Sequence, residues 1–205
     1  NNTKLLLHCD GADGSTTFTD SAAPSKTVTA NSSAQVDTAQ SKFGGASGLF
    51  VIRSNSFLSV PDHDDWNMGA GAWTIDNWVR YNILGANTSH GIWSQKTDDS
   101  NGYDLRLVDD VTDARYYLFA VRSAGAAIVA LQTTALTVNS GTFYHLAVVH
   151  NGTNYTLYID GSSAITSLDA DNVQDYTGTF RIGVDMADNY SNGWIDEFRV
   201  SKGIA

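Results

Sequence analysis

The run Trp194-Ile195-Asp196-Glu197-Phe198-Arg199-Val200, opening on Gly193, reads as a closing β-strand and sets the class of the whole chain. Upstream of it the same kind of segment recurs at residues 4–9, 48–53, 57–60, 73–81, 91–95, 103–108, 114–123, 128–133, 142–150, 154–159 and 178–182. Each is a short run of alternating character bounded by Gly, Asn, Asp and Ser clusters, the period-two pattern of half-buried strands between turns. Asn151-Gly152-Thr153-Asn154 joins two of these runs and Asp160-Gly161 ends the second. Such pairs supply the positive φ angles that tight hairpins require. Pro24 and Pro61 both fall outside the strong runs, as ladder hydrogen bonding demands. No window of helical length carries an apolar stripe at 3.6-residue spacing.

Composition points the same way. All 22 acidic residues except Glu197 are aspartates, and Asp, Asn, Ser, Thr and Gly favour turns and strand ends over helices. The expected fold class is all-β. At 205 residues a sandwich still folds as one unit, and no linker, repeat or low-complexity tract divides residues 1–205, so one domain is predicted. The 42% hydrophobic and 11% aromatic content supplies a core, while the 17% charged fraction lies below the usual quarter. A net charge of −10 without a Lys/Arg cluster offers no field to a phosphate backbone, so nucleic acid is not an expected partner. The longest apolar run, 124–131, is too short to span a bilayer. No signal peptide opens the chain, and membrane insertion is not expected. With Asn1 in place of a methionine, the expectation is a mature fragment or a domain cut from a longer polypeptide, whose other domains are then expected partners. Cys9, the one cysteine, cannot form an internal disulfide and reads as a small buried thiol.

Seven segments together resemble the laminin-G-like, concanavalin A-like lectin and glucanase group of jelly-roll domains. They are Leu5-Leu6-Leu7-His8-Cys9-Asp10-Gly11, Ser41-Lys42-Phe43-Gly44-Gly45-Ala46-Ser47, Phe57-Leu58-Ser59-Val60-Pro61-Asp62, Trp73-Thr74-Ile75-Asp76-Asn77-Trp78-Val79-Arg80, Phe143-Tyr144-His145-Leu146-Ala147-Val148-Val149, Leu157-Tyr158-Ile159-Asp160-Gly161 and the closing run. Each is weak alone, but their order along nearly the whole chain is specific. Cys9 and Phe143 depart from the aromatic and the tryptophan usual at those places, and both keep an apolar side chain. The resemblance implies two stacked, curved antiparallel sheets with the first and last strands as neighbours. It carries little about function, because the group spans lectins, adhesion modules, domains appended to enzymes, and tail or surface proteins of bacteria and their viruses.

The resemblance also implies a structural calcium ion held where the chain ends meet. Asp10, Gly11 and Asp196 are the expected ligands, with Asp20 as a further oxygen donor; calcium takes six to eight hard oxygens, which carboxylates and turn carbonyls provide. The alternative is that Asp10 and Asp20 cap turns while Asp196 pairs with Arg199 or Lys202. The other aspartate groups, such as Asp98-Asp99, Asp109-Asp110 and Asp169 with Asp171, do not match a twelve-residue calcium loop.

For a ligand, alternation in residues 73–81 sends Trp73, Ile75, Val79 and Tyr81 to one side and Thr74, Asp76, Trp78 and Arg80 to the other. The second side mixes an aromatic plate with hydrogen-bonding groups, the combination that binds sugars by stacking and by hydroxyl recognition. In residues 103–108, Asp104 and Arg106 oppose Tyr103, Leu105 and Leu107 in the same way. If the two strands share a sheet, Asp76, Trp78, Arg80, Asp104 and Arg106 form one polar groove for a glycan. Otherwise Trp78 is covered by a neighbouring loop and Asp76 pairs with Arg80. Rim loops carrying Trp66, Asn67, Asn87, Trp93, Asn101, Tyr190 and Asn192 are the rival site.

Glucanases of this fold use two glutamates and an aspartate on one strand, and Glu197 is the single glutamate; that mechanism is not available. A polysaccharide lyase would draw on His145, Tyr144, Arg80 and Arg106 as proton acceptor and charge neutraliser, although His145 reads better as a structural sheet histidine. The expected function is a non-catalytic, lectin-like carbohydrate-binding or adhesion module of an extracellular, cell-surface, virion or phage-tail protein. The alternatives are a lyase or a structural domain of a surface assembly.

Overall fold

Alternation decides which side of each strand is buried, and the pairing of strands far apart in sequence decides which sheet it joins. The structure, a computed structural model, describes residues 1–85, 87–168 and 171–205. Its first sheet runs β13 (Ser162–Leu168), β12 (Asn154–Ile159), β11 (Phe143–Asn151), β6 (Ala72–Tyr81), β15 (Gly193–Lys202), β4 (Ser47–Phe50) and β3 (Gln35–Asp37). β1 (Thr3–Leu7) also pairs with β15, beside β4 on the same edge. The second sheet runs β10 (Ala126–Gln132), β9 (Arg115–Ser123), β8 (Asn101–Asp109), β7 (Thr88–Asp98), β14 (Phe180–Ile182), β5 (Phe57–Val60) and β2 (Thr29–Asn31). All ladders are antiparallel, and the two sheets stack as the expected jelly-roll sandwich, first strand against last. Helical backbone among the described residues is confined to two 3-10 turns, Ile52–Ser54 and Asp64–Trp66.

The inward faces match the alternation. Trp73, Ile75, Val79 and Tyr81 from β6 and Tyr103, Leu105 and Leu107 from β8 are all fully buried. They meet in one core whose centre is aromatic: Trp73 and Trp93 lie 6.1 and 5.9 Å from Phe119, and Trp93 stacks on Phe180 at 6.2 Å. Offset and edge contacts of this kind add about 0.5–1.5 kcal/mol per pair beyond area burial. Trp66 and Trp93, expected on rim loops, are core residues; the Trp66 indole N–H finds the Pro61 carbonyl at 2.9 Å.

The closing strand is interrupted where its sequence breaks alternation. Against β6, Asp196 faces Trp78 while Arg199 faces Asp76, so one extra residue is inserted. Glu197 takes a left-handed φ of 50° in this bulge. The bulge bends β15 between its β4-paired and β1-paired halves.

Candidate functional site

The outward side chains of β6 and β8 fall on opposite faces of the molecule, because β6 pairs with β11 and β15 and β8 with β7 and β9. The single groove expected from Asp76, Trp78, Arg80, Asp104 and Arg106 is therefore two separate surfaces. The lyase set divides in the same way, with Arg106 across the sandwich from His145 and Arg80.

On the first sheet, Asp76 is buried and bound by Arg199, whose Nε and Nη2 donate to its two oxygens at 2.9 and 3.2 Å. His145 Nε2 stands 3.6 Å away. Arg80 is not its partner: its Nε donates to the Gly141 carbonyl at 3.1 Å and its guanidinium lies 4.8 Å from the Trp194 ring centre. Trp78 is half-buried. The Lys42 ammonium sits 4.0 Å over its ring, Phe43 meets it edge-on at 5.9 Å and His145 lies at 5.1 Å. A pocket of about 420 Å³ remains beside it, between Leu6, Phe43, His145, Glu197 and Arg199. The stacking plate is thus largely taken by the loop that precedes β4.

On the second sheet the outward residues form a polar patch that continues into an apolar one. Across β7, β8 and β9 the register aligns Lys96 with Gly102 and Arg122, Ser94 with Asp104 and Ala120, Gly91 with Arg106 and Leu118, and Ser89 with Val108 and Tyr116. The loop after β14 folds over this face. Asp185 organises it, accepting from the amides of Ala187 and Asn189 and from Asn189 Nδ2 at 2.8, 2.9 and 2.9 Å. The Gly91 amide donates to the Asn189 carbonyl at 3.2 Å and Ser94 Oγ to the Val184 carbonyl at 2.9 Å. A Cβ at position 91 would overlap the Asp185 amide nitrogen and the Asn189 oxygen. Glycine inside this strand is what lets the loop lie directly on the sheet.

Between that loop and β9 lies a cavity of about 540 Å³ lined by Ser89, Arg106, Arg122, Met186, Asp188 and Asn189. Lys96 reaches the Met186 carbonyl, Asp99 and Asp188 at 2.8, 2.8 and 3.2 Å, and Arg181 donates to Asp188 and the Asp185 carbonyl at 2.7 and 2.8 Å. Asp104, beneath Arg106, is fully buried; Arg106 Nη1 donates to its Oδ2, and its Oδ1 has no partner.

Burial, reinforced by Asp185, pushes the Asp104 carboxyl up to about 6 despite Arg106. A carboxyl whose folded value exceeds its unfolded one contributes stability in full below the unfolded value and loses it as pH rises through about 6. Asp104→Asn, which keeps the neutral shape, is expected to be more stable than the parent at pH 7.5 by roughly 3 kcal/mol and equal to it near pH 3.5. Unfolding midpoints across pH 3.5–7.5 check this.

The metal set also divides. Asp20 caps a turn, accepting from the amides of Leu6, Ala22 and Lys26 at 3.0, 2.9 and 2.8 Å. Asp196 accepts from the amides of Lys42, Phe43 and Glu197 at 2.8, 3.1 and 2.9 Å, and not from Arg199 or Lys202. Asp10 and Asp196 both act on Cys9, whose thiol is pushed up by burial first and then by these carboxylates and Glu197. The Asp10 carboxylate occupies the space that a Cβ on Gly44 would fill. No cluster of three or more His, Cys, Asp or Glu residues suited to a metal occurs among the described residues. Asp169 lies outside those residues, so its expected grouping with Asp171 is not described.

Of the rim residues, Tyr190 is half-buried 6.2 Å from Phe57, and Asn87 and Asn101 sit at the ends of β7 and β8. Arg122, Asn189 and Met186 were not expected from sequence. The interior glycine Gly91 was the available signal for them, since it marks a close approach by another segment.

A family model described as the concanavalin A-like lectin/glucanases superfamily matches residues 53–204. Among solved structures, the binding domain of Paraclostridial Mosquitocidal Protein 1 superposes with a TM-score of 0.76 at 15% identity, over 100% of this chain and 49% of that one. A botulinum neurotoxin type C structure, described as entering cells through interaction with two ganglioside molecules, gives 0.72 at 14% identity over 98% and 47%. Domain 4 of AbnA, an extracellular arabinanase of Geobacillus stearothermophilus in complex with arabinotriose, gives 0.70 at 20% identity over 99% and 94%. The chain thus spans about half the length of the toxin binding domains it matches and nearly all of the arabinanase domain. A search of the curated proteins found no match.

Proposed function

The chain belongs to the concanavalin A-like lectin/glucanase superfamily, and from that premise we propose that it is a non-catalytic carbohydrate-binding module whose glycan lies on the outer face of the second sheet. The carrying observation is the cavity beside Arg106, where guanidinium, amide and hydroxyl groups of Arg106, Arg122, Asn189 and Ser89 converge beside the Met186 side chain. Sugars present hydroxyls for such groups and C–H faces for apolar ones. The half-buried Val108, Tyr116 and Leu118 extend the face along β8 and β9, long enough for several sugar units. The gangliosides of the botulinum neurotoxin type C structure and the arabinotriose of the arabinanase domain support a glycan as the ligand. Their toxin and extracellular contexts support a place outside the cell, on a cell surface or a virion. Other domains of a parent polypeptide are proposed partners. No helix among the described residues is long and apolar enough to cross a membrane.

A calcium ion is proposed at Asp10, Gly11 and Asp196, without Asp20, whose oxygens already serve three backbone amides. There it would supply a cross-link between the opening and closing strands, while Asp196 keeps its three amide donors.

Affinity electrophoresis against a panel of plant, bacterial and animal polysaccharides tests the function. The expected result is retardation by at least one glycan without release of reducing ends or unsaturated products. Arg106→Ala should lower that affinity about tenfold or more, while Trp78→Ala should leave it within twofold. Product formation by the wild type would replace the binding module with an enzyme.

A further inference from the structure

Arg122 differs from the other cations around the second-sheet cavity: its charge acts on Asp104 and lowers that carboxyl, but it forms no ion-pair contact among the described residues. Lys96 is paired with Asp99 and Asp188, Arg181 with Asp188, and Arg106 with Asp104. Asp185 is buried and accepts from two amides and Asn189 Nδ2. The Arg122 guanidinium, half-buried on the cavity wall, makes no hydrogen bond or ion pair among the described residues. In a protein of net charge −10, every other cation of this patch is matched to a carboxylate. Its neighbour across the ladder is Gly102, whose side-chain position is filled by the Gln95 carbonyl and the Lys96 backbone and so brings no acidic group beside the guanidinium.

Resting on the reading of this face as a glycan site, we infer that its ligand carries a carboxylate on a sugar ring, a uronate or a sialate, with that carboxylate on the fork of Arg122. A planar guanidinium takes a carboxylate through two parallel N–H···O bonds, and such charge-assisted bonds are about twice as strong as those to hydroxyls. The remaining N–H groups of Arg106 and the Asn189 amide then meet ring hydroxyls. Asp99 and Asp188, on the lining, do not oppose the anion because Lys96 and Arg181 already hold them.

The test titrates the wild-type protein with trigalacturonate, with its carboxyl-reduced neutral trisaccharide, with sialyllactose and with lactose, by calorimetry at low salt. At least one acidic sugar is expected to bind about tenfold or more tighter than its neutral counterpart, with the preference shrinking in 0.5 M NaCl. Arg122→Gln, checked for folding by its thermal midpoint, is expected to bring the ratio of acidic to neutral affinity down to near one and to remove its salt dependence. Equal binding of acidic and neutral forms, with Arg106→Ala weakening both, would overturn the acidic ligand and keep the glycan site. An acidic preference that survives Arg122→Gln would overturn the assignment to this cavity. Failure of all four sugars, with a neutral glycan of the wider panel still bound through Arg106, would overturn the acidic class alone; failure of every glycan would overturn both readings.

Discussion

Replacing Gly91 by alanine is expected to cost about 3 kcal/mol of folding stability and to abolish binding at the second-sheet cavity together with it. The added methyl would overlap the Asp185 amide nitrogen and the Asn189 carbonyl, which are backbone atoms of a loop pinned from several sides. Overpacking against backbone typically costs 1–3 kcal/mol. Lifting the loop also breaks the Gly91 and Ser94 bonds to it, each worth about 0.5–1.5 kcal/mol. The loop carries Met186, Asp188 and Asn189, so displacing it removes one wall of the cavity. Gly71→Ala is the control, because a Cβ there meets nothing within 4 Å. Urea unfolding of the three proteins gives the comparison; a Gly91→Ala loss no larger than that of Gly71→Ala contradicts the described packing.

The second large effect is expected at the bulge of the closing strand. Asp196→Ala removes the acceptor of three backbone amides, those of Lys42, Phe43 and Glu197, and leaves donors in a site where Asp196 itself has no exposed surface. Orphaned donors cost about 1–3 kcal/mol each when fully buried, and less for these three, whose bonds to Asp196 are part-buried. Burial also raises the Asp196 carboxyl above the usual range, so part of that cost is offset by losing a strained charge. The expected net loss is about 3 kcal/mol, with the Lys42-Phe43 cover over Trp78 loosened. The proposed calcium adds a second readout: EDTA should lower the thermal midpoint of the wild type and not that of Asp196→Ala. An equal response to EDTA in both would remove calcium from this pair.

The faces of individual strands were legible because one local period sets them. Trp73 to Tyr81 and Tyr103 to Leu107 show it directly: the inward side chains form the core as expected, while Asp76 and Asp104 on the outward positions are buried as well. Sheet membership was not legible in the same way. β6 finds its neighbours about 70 and 120 residues downstream, so Asp76 and Asp104 look alike in sequence and lie on opposite faces. β2, β3 and β13 escaped notice because Thr29–Asn31, Gln35–Asp37 and Ser162–Leu168 lie at sheet edges, where little apolar alternation is required. Trp66 and Trp93 were misplaced at the rim because a large aromatic residue beside turn residues looks the same whether it faces water or the core. Asp20 and Asp196 show a further limit: an aspartate beside a turn or bulge serves backbone amides as readily as it serves a metal, and the sequence pattern is common to both.

The most direct measurement of the central claim is amide chemical-shift mapping of the protein titrated with a saccharide that it retains in electrophoresis. A glycan on the second sheet predicts perturbations concentrated at residues 102–108, 116–122 and 185–190. Perturbations concentrated instead at residues 42–45, 76–80 and 196–199 would place the ligand at Trp78 on the first sheet and contradict the account.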